Sequence, residues 1–133
     1  MILKRTQFGN PILRTQATEL TAQEVQSDAI QQLITDMRET LTEKKLGVGL
    51  AAPQVGHSVA LAVIEIQKTA LRDELNEVSL VIINPKVVEH CGRKQQMWEG
   101  CISSGQKENG LFAKALRYKK IELEYYDETA QKH

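Results

Sequence analysis

The sequence predicts an α+β domain in which a mixed or antiparallel sheet packs against one long N-terminal helix. Two observations predict this class: a single helical apolar stripe in the first third of the chain, and several strand-like segments after it. A chain of 133 residues is the size of one domain, residues 1–133, with a modest hydrophobic core.

The helix is predicted from a start signal and a periodic face. Thr21-Ala22-Gln23-Glu24 has the form of a capping box, so the helix is expected to begin at Thr21. Apolar side chains then recur about once per helical turn along one face. They are Val25, Ala29, Leu33, Met37 and Leu41, with Ile30 and Ile34 widening the stripe.

The strands are predicted from apolar runs and from alternation. Residues 59–66 and 80–83 read as largely buried strands, and Asn84-Pro85 is expected to end the second because proline lacks an N–H. Residues 86–91 are candidates to pair with a neighbouring strand. Residues 121–126 alternate apolar and polar side chains, which predicts a half-exposed strand.

Charge and cysteine content exclude several classes of protein. The 17 basic residues balance the 17 acidic ones, which argues against a broad nucleic-acid or anionic-membrane surface, and we expect no direct nucleic-acid binding and no membrane partner. The two cysteines make no disulfide framework, and the N-terminus does not read as a signal peptide. No apolar run approaches the length of a membrane span. We therefore expect a cytoplasmic protein.

The first motif is Gly47-Val48-Gly49-Leu50-Ala51-Ala52-Pro53-Gln54-Val55-Gly56. Glycines on either side of Val48 let the backbone bend and let a ligand approach closely. Gln54 offers a side-chain carbonyl and an NH2 group, and such an amide can donate to a developing oxyanion. The alternative is a glycine-rich turn in which Gln54 only bonds nearby backbone.

The second motif is Glu99-Gly100-Cys101-Ile102-Ser103. On residue chemistry alone, Cys101 is either an inert small hydrophobic side chain or a reactive thiolate, and burial without reactivity is the more common case.

Together the two motifs resemble the first two signatures of the peptide deformylases, metal-dependent hydrolases that remove the formyl group from N-terminal methionine. The resemblance extends from the opening Gly9-Asn10-Pro11-Ile12-Leu13-Arg14 to the strand near Asp127. It implies that Cys101 is a metal ligand and that Gln54 and the Ile102 backbone N–H are oxyanion donors. It also implies that Val48 and Gly49 border the peptide cleft, that Met97 helps line the methionine pocket, and that Glu99 is structural, bonding backbone or an arginine. Ordinary core packing is the alternative for Met97.

The third signature of that family, a helix reading H-E-x-x-H, does not occur in these residues. The histidines are His57, His90 and His133, and no two are spaced to share a helical face. His133 is expected to be disordered. Residues 103–110 look like an insertion that lacks the family's proline. Fe²⁺, Zn²⁺ or Ni²⁺ would suit the intact family site.

Three hypotheses follow. The chain is the N-terminal part of a deformylase acting on N-formyl-methionyl peptides, and is inactive alone; or it is a non-catalytic protein that binds peptide N-termini; or it is one part of a split enzyme. Because one helix leaves a sheet face uncovered, a homodimer or a complementing chain is expected to cover it.

Overall fold

The computed structural model describes residues 1–43, 47–68, 76–104 and 111–133. Four strands form one antiparallel sheet in the order β1-β2-β3-β4. Their bounds are Gly49–Ala51, Leu61–Ile66, Val78–Gly100 and Phe112–Tyr126. The predicted α+β class is confirmed, and the described sheet is antiparallel rather than mixed.

The predicted helix is present, but it is divided in two. The capping box forms as expected, with Thr21 accepting from the Glu24 N–H and the Glu24 carboxylate accepting from the Thr21 N–H. The first helix, α1, spans only Ala22–Val25, and α2 spans Asp28–Glu43. Ser27 causes the break, because its hydroxyl donates to the Glu24 carbonyl and accepts from the Ile30 N–H, which starts a second helix.

The core lies between α2 and the inner part of the sheet. The predicted apolar stripe is buried at Leu33, Met37 and Leu41, whereas Ala29 is exposed. Leu50 of β1, Val63 of β2 and the β3 residues Val81 and Ile83 face it. Strand β1 was not predicted, because its glycine-rich sequence reads as a turn.

The prediction that Asn84-Pro85 ends a strand is wrong, because β3 continues through both residues. Asn84 takes a left-handed conformation, with φ of 51°, and the register with β4 shifts between Ile83 and Lys86. Pro85 therefore lies in a β-bulge, outside the regular pairing, where its lack of an N–H costs the β3–β4 ladder no hydrogen bond. Residues 86–91 pair with β4 as predicted.

The last residues fold back on the end of β4. His133 exchanges backbone hydrogen bonds with Tyr125, stacks on its ring, and bonds the Asp127 carboxylate at 2.8 Å. The expectation of a disordered His133 is therefore wrong. Among the described residues, neither α1 nor α2 has the length and apolarity that a bilayer-spanning helix needs.

Candidate functional site

The side chain of Gln54 is fixed at its carbonyl end. Gln54 lies in a short 3-10 turn, Ala52–Val55, which follows β1 and ends at Gly56 with φ of 89°. Its Oε1 accepts from the Ala51 N–H at 2.9 Å, and its backbone carbonyl accepts from the Thr6 N–H at 2.7 Å. The Ala51 bond fixes the side-chain carbonyl, and the Thr6 bond fixes the backbone of the same residue.

Cys101 lies where the amide of Gln54 points. It follows the end of β3, its side chain is exposed, and its Sγ is 3.6 Å from Gln54 Nε2. Gln54 Nε2 also donates to the hydroxyl of Ser103 at 3.3 Å. Ser103 is only 1% exposed, so this hydroxyl is a fixed support for the amide. The structure thus brings together the polar residues of the two motifs.

A tight turn shapes the segment after Cys101. The Cys101 carbonyl accepts from the Ser104 N–H at 3.0 Å and from the Ser104 hydroxyl at 2.6 Å. The Ile102 N–H, which follows Cys101 directly, makes no hydrogen bond to any described residue. A free N–H and an amide NH2 therefore lie beside one thiol, and two such donors can stabilise negative charge on an oxygen bound there.

The N-terminal segment holds both motifs in place, and sequence reasoning missed it. Arg5 Nη1 donates to the Ile102 carbonyl at 2.8 Å, and the Phe8 N–H donates to the Ser103 carbonyl at 3.0 Å. With the Thr6 bond to Gln54, residues 5–8 contact both halves of the site. No local pattern could have predicted contacts between residues so far apart in sequence.

The residues implied in peptide binding lie outside this hydrogen-bonded cluster. Val48 is 42% exposed and directly precedes Gly49, which starts β1 and pairs with Ile64. Met97 is on β3 opposite Ala115 and is 56% exposed. It is therefore not packed in the core that the described residues form, which was the alternative for it.

Glu99 forms the arginine pair that was expected of it. Arg117 donates from Nε and Nη2 to the two carboxylate oxygens, both at 2.8 Å. These hydrogen bonds hold the pKa of Glu99 below its usual range. The bidentate geometry joins the end of β3 to β4 directly before Cys101.

The metal-ligand set is incomplete in the described part of the chain. No group of three or more His, Cys, Asp or Glu side chains could hold a metal ion there. His57 is an exposed turn residue, His90 stacks on Tyr118, and His133 bonds Asp127. The described residues therefore do not bring together the three protein ligands that a catalytic metal site requires.

The site is open rather than enclosed. A cleft of about 280 Å³ lies where the segment around Leu20 meets Asn84 and Tyr125, and neither Gln54 nor Cys101 lines it. In the described residues the Gln54–Cys101 pair sits at the surface beside the end of the β3–β4 ribbon where Gly100 pairs with Phe112.

The fold is thus an antiparallel sheet with an amide donor after β1 and an exposed thiol after β3, two strands that β2 separates but whose following segments meet at this site. The family model for polypeptide deformylases matches residues 2–133. The chain belongs to the polypeptide deformylase family, whose members are metal-dependent deformylases.

Individual relatives agree with this assignment. The peptide deformylase of Chlorobaculum parvum is 36% identical over 133 residues, which is 100% of this chain and 65% of that protein. Peptide deformylase 1 of Vibrio vulnificus is 39% identical over 122 residues, 92% of this chain and 64% of that protein. The chain thus spans just under two thirds of the length of these relatives.

Solved structures show the same fold. A class I type b peptide deformylase from Acinetobacter baumannii, crystallised with Met-Ala-Ser bound, superposes with a TM-score of 0.87 at 25% identity, covering 100% of this chain and 81% of that one. The Ehrlichia chaffeensis peptide deformylase in complex with actinonin gives 0.83 at 29% identity, covering 99% and 72%.

Proposed function

We propose that this chain is part of a peptide deformylase-type hydrolase that removes the formyl group from the N-terminal formyl-methionine of peptides. One observation carries the proposal: Gln54 Nε2 lies 3.6 Å from an exposed Cys101 Sγ, in a chain that the deformylase family model matches along its length.

The geometry of the site supports the role proposed for each residue. The formyl carbon becomes tetrahedral during hydrolysis, and negative charge develops on its oxygen. The Gln54 NH2 and the Ile102 N–H are the two donors that stabilise this charge. Ser103 and Ala51 keep the Gln54 amide from rotating, so that the donor is oriented before substrate arrives.

Cys101 is the chain's contribution to a metal centre. A bound metal ion would supply a Lewis acid and an activated water at neutral pH. Iron, zinc and nickel all accept a thiolate with imidazoles. We propose that the remaining ligands and a proton-accepting glutamate come from a segment outside these residues, either of the same polypeptide or of a complementing chain.

Residues beside the Gln54–Cys101 pair select the substrate in this proposal. We propose that Val48 and Gly49 border the path of an extended peptide and that exposed Met97 offers an apolar contact for a methionine side chain. The Met-Ala-Ser bound to the Acinetobacter protein supports a peptide that begins with methionine.

A complementation assay tests this function. The 133-residue chain is mixed with a polypeptide that carries an H-E-x-x-H helix, and hydrolysis of a formyl-methionyl peptide is measured. We expect little turnover from the chain alone and clear turnover from the mixture. Gln54→Glu, which keeps the acceptor but loses the donor, should lower kcat roughly 100-fold or more.

Cys101→Ser should abolish turnover in the mixture, whereas Cys91→Ser, the matched change at the other cysteine, should leave it unchanged. Equal activity of the Cys101→Ser and Cys91→Ser mixtures would refute the assignment of Cys101.

A further inference from the structure

The outer part of the β3–β4 ribbon presents one face rich in aromatic rings and lysines. Directly opposed residues of antiparallel strands share a face. The pairs Gly100–Phe112, Trp98–Lys114, Gln96–Leu116 and Lys94–Tyr118 therefore lie together. We call this set the aromatic face. Trp98 is 67% exposed and Phe112 is 70% exposed, so large ring surfaces lie in water.

This part of the ribbon is strongly basic in a chain with no net charge. Segments 90–100 and 111–121 hold six cations and one acid, Glu99, an excess of five positive charges. The cations are Arg93, Lys94, Lys114, Arg117, Lys119 and Lys120. Among the described residues, their one ion pair is that between Arg117 and Glu99. The opposed pair Glu89 and Glu122 bounds the basic region on the side of the core.

The lysines are held beside the rings. Lys114 Nζ lies 5.3 Å from the centroid of Trp98, and Lys94 Nζ lies 4.8 Å from that of Tyr118. Tyr118 also stacks with His90, with ring centroids 4.4 Å apart. Two levels of the face thus each hold a cation beside a ring, and cations placed beside rings match the phosphates and bases of a single strand.

We propose that the aromatic face binds single-stranded RNA. Bases would stack on Trp98 and Phe112. Lys114, opposite Trp98, would pair with a neighbouring phosphate, and Lys94, two residue pairs further along the face, would pair with the phosphate of a later nucleotide. Gln96 lies on the same face between these groups, and its amide can bond the 2′-hydroxyl that distinguishes RNA from DNA. Balanced whole-chain charge argues against a broad nucleic-acid surface, but it does not exclude a local one.

Charge decides between RNA and a second copy of the chain. Two copies joined through this face would bring two basic ribbons together, and like charges in an interface oppose association. Met97 pairs on the opposite face of β3 from its neighbour Trp98, so bound RNA would leave the Met97 side of the ribbon uncovered. The proposal is independent of the proposed hydrolase function.

The single tryptophan of the chain makes the test direct, because Trp98 is the only indole that can report. An oligomer of about 12 uridines is titrated into the full chain while Trp98 emission is followed. We expect saturable quenching that weakens between about 50 mM and about 200 mM salt. A DNA oligomer of the same length should bind less tightly.

Matched variants separate binding by the aromatic face from a general effect of positive charge. In anisotropy titrations with labelled RNA, Lys94→Glu with Lys114→Glu should weaken binding at least about tenfold. Lys68→Glu carries the same kind of charge change just past the far end of β2, and should have only a small effect. Trp98→Ala should weaken binding about fivefold or more, and Trp98→Phe should restore most of the loss. Circular dichroism confirms that each variant is folded.

Several outcomes would overturn the proposal. One is no saturable quenching of Trp98 by RNA at low salt. Another is equal affinity for polyglutamate, which would make the ribbon a polyanion surface without base stacking. Trp98 emission that changes on dilution without RNA would show instead that a second copy covers the face.

Discussion

Replacement of Asn84 should reveal how the bulge in β3 is stabilised. Asn84 has a left-handed backbone, with φ of 51°. Its Oδ1 accepts from the Leu20 N–H at 2.9 Å, and its Nδ2 donates to the Leu20 carbonyl at 2.8 Å. The Asn84 side chain therefore makes the two hydrogen bonds to Leu20 that a backbone partner would otherwise make, and it connects the segment before α1 to the sheet.

The structure gives the expected magnitude. Two partly buried hydrogen bonds contribute about 1 kcal/mol each to the free energy of unfolding. An alanine in a left-handed conformation costs roughly 1–2 kcal/mol, which glycine avoids, although glycine loses about 0.4–1 kcal/mol more backbone entropy on folding. We expect Asn84→Ala to lose roughly 3–4 kcal/mol and Asn84→Gly roughly 2.4–3 kcal/mol, out of a total of roughly 5–15 kcal/mol.

Urea unfolding followed by far-UV circular dichroism measures both losses. Asn10→Ala is the matched control, because Asn10 accepts one exposed hydrogen bond from the Ile12 N–H and should lose about 1 kcal/mol or less. A glycine variant as unstable as the alanine variant would refute the strain component. A loss below about 1 kcal/mol in both would refute the hydrogen-bond component.

Three further outcomes are expected. Met37→Ala, at a fully buried position of α2, should lower the free energy of urea unfolding by about 2–5 kcal/mol. Arg117 lowers the pKa of Glu99 below its ordinary value of 4.5, so this ion pair stabilises the fold fully above pH 4.5, and the stabilisation is lost as the pH falls below that value. Thermal melts at decreasing pH should therefore show a smaller drop in melting temperature for Glu99→Gln than for the unchanged chain. Hydrogen bonds from His133 and neighbouring donors lower the pKa of Asp127 strongly, so its carboxylate is ionised near neutral pH and accepts from the Gln131 N–H. Asp127→Asn should weaken that bond and speed hydrogen exchange at the Gln131 amide, which NMR can follow.

Local signals in the sequence were sufficient for the elements whose causes are local. The capping box at Thr21, the apolar face of α2 and the strand at 61–66 each depend on neighbouring side chains, and each was predicted. Two of the errors arose where one residue changes the local rule. Ser27 starts a second helix by bonding backbone on both sides, and Asn84 carries a strand through a proline by adopting a left-handed conformation.

The candidate site was predictable in its residues but not in its supports. The motifs around Gln54 and Cys101 identified both side chains, and the structure places them 3.6 Å apart. Glu99 was expected to bond an arginine or backbone, and it bonds Arg117. The basic aromatic face was not foreseen, because it forms only when β3 and β4 align residues that are far apart in sequence.

The supports of the site come from a segment that carries no motif. Residues 5–8 bond the Gln54 carbonyl, the Ile102 carbonyl and the Ser103 carbonyl, so one extended stretch fixes the distance between the two motifs. The Arg5 bond is directed at the carbonyl of the peptide unit that follows Ile102, and it constrains the turn that carries the Ile102 N–H. A change in Arg5 should therefore act on the site through the orientation of that turn rather than through contact with substrate. Positioning of the donors depends on the N-terminal segment as much as on the motifs themselves.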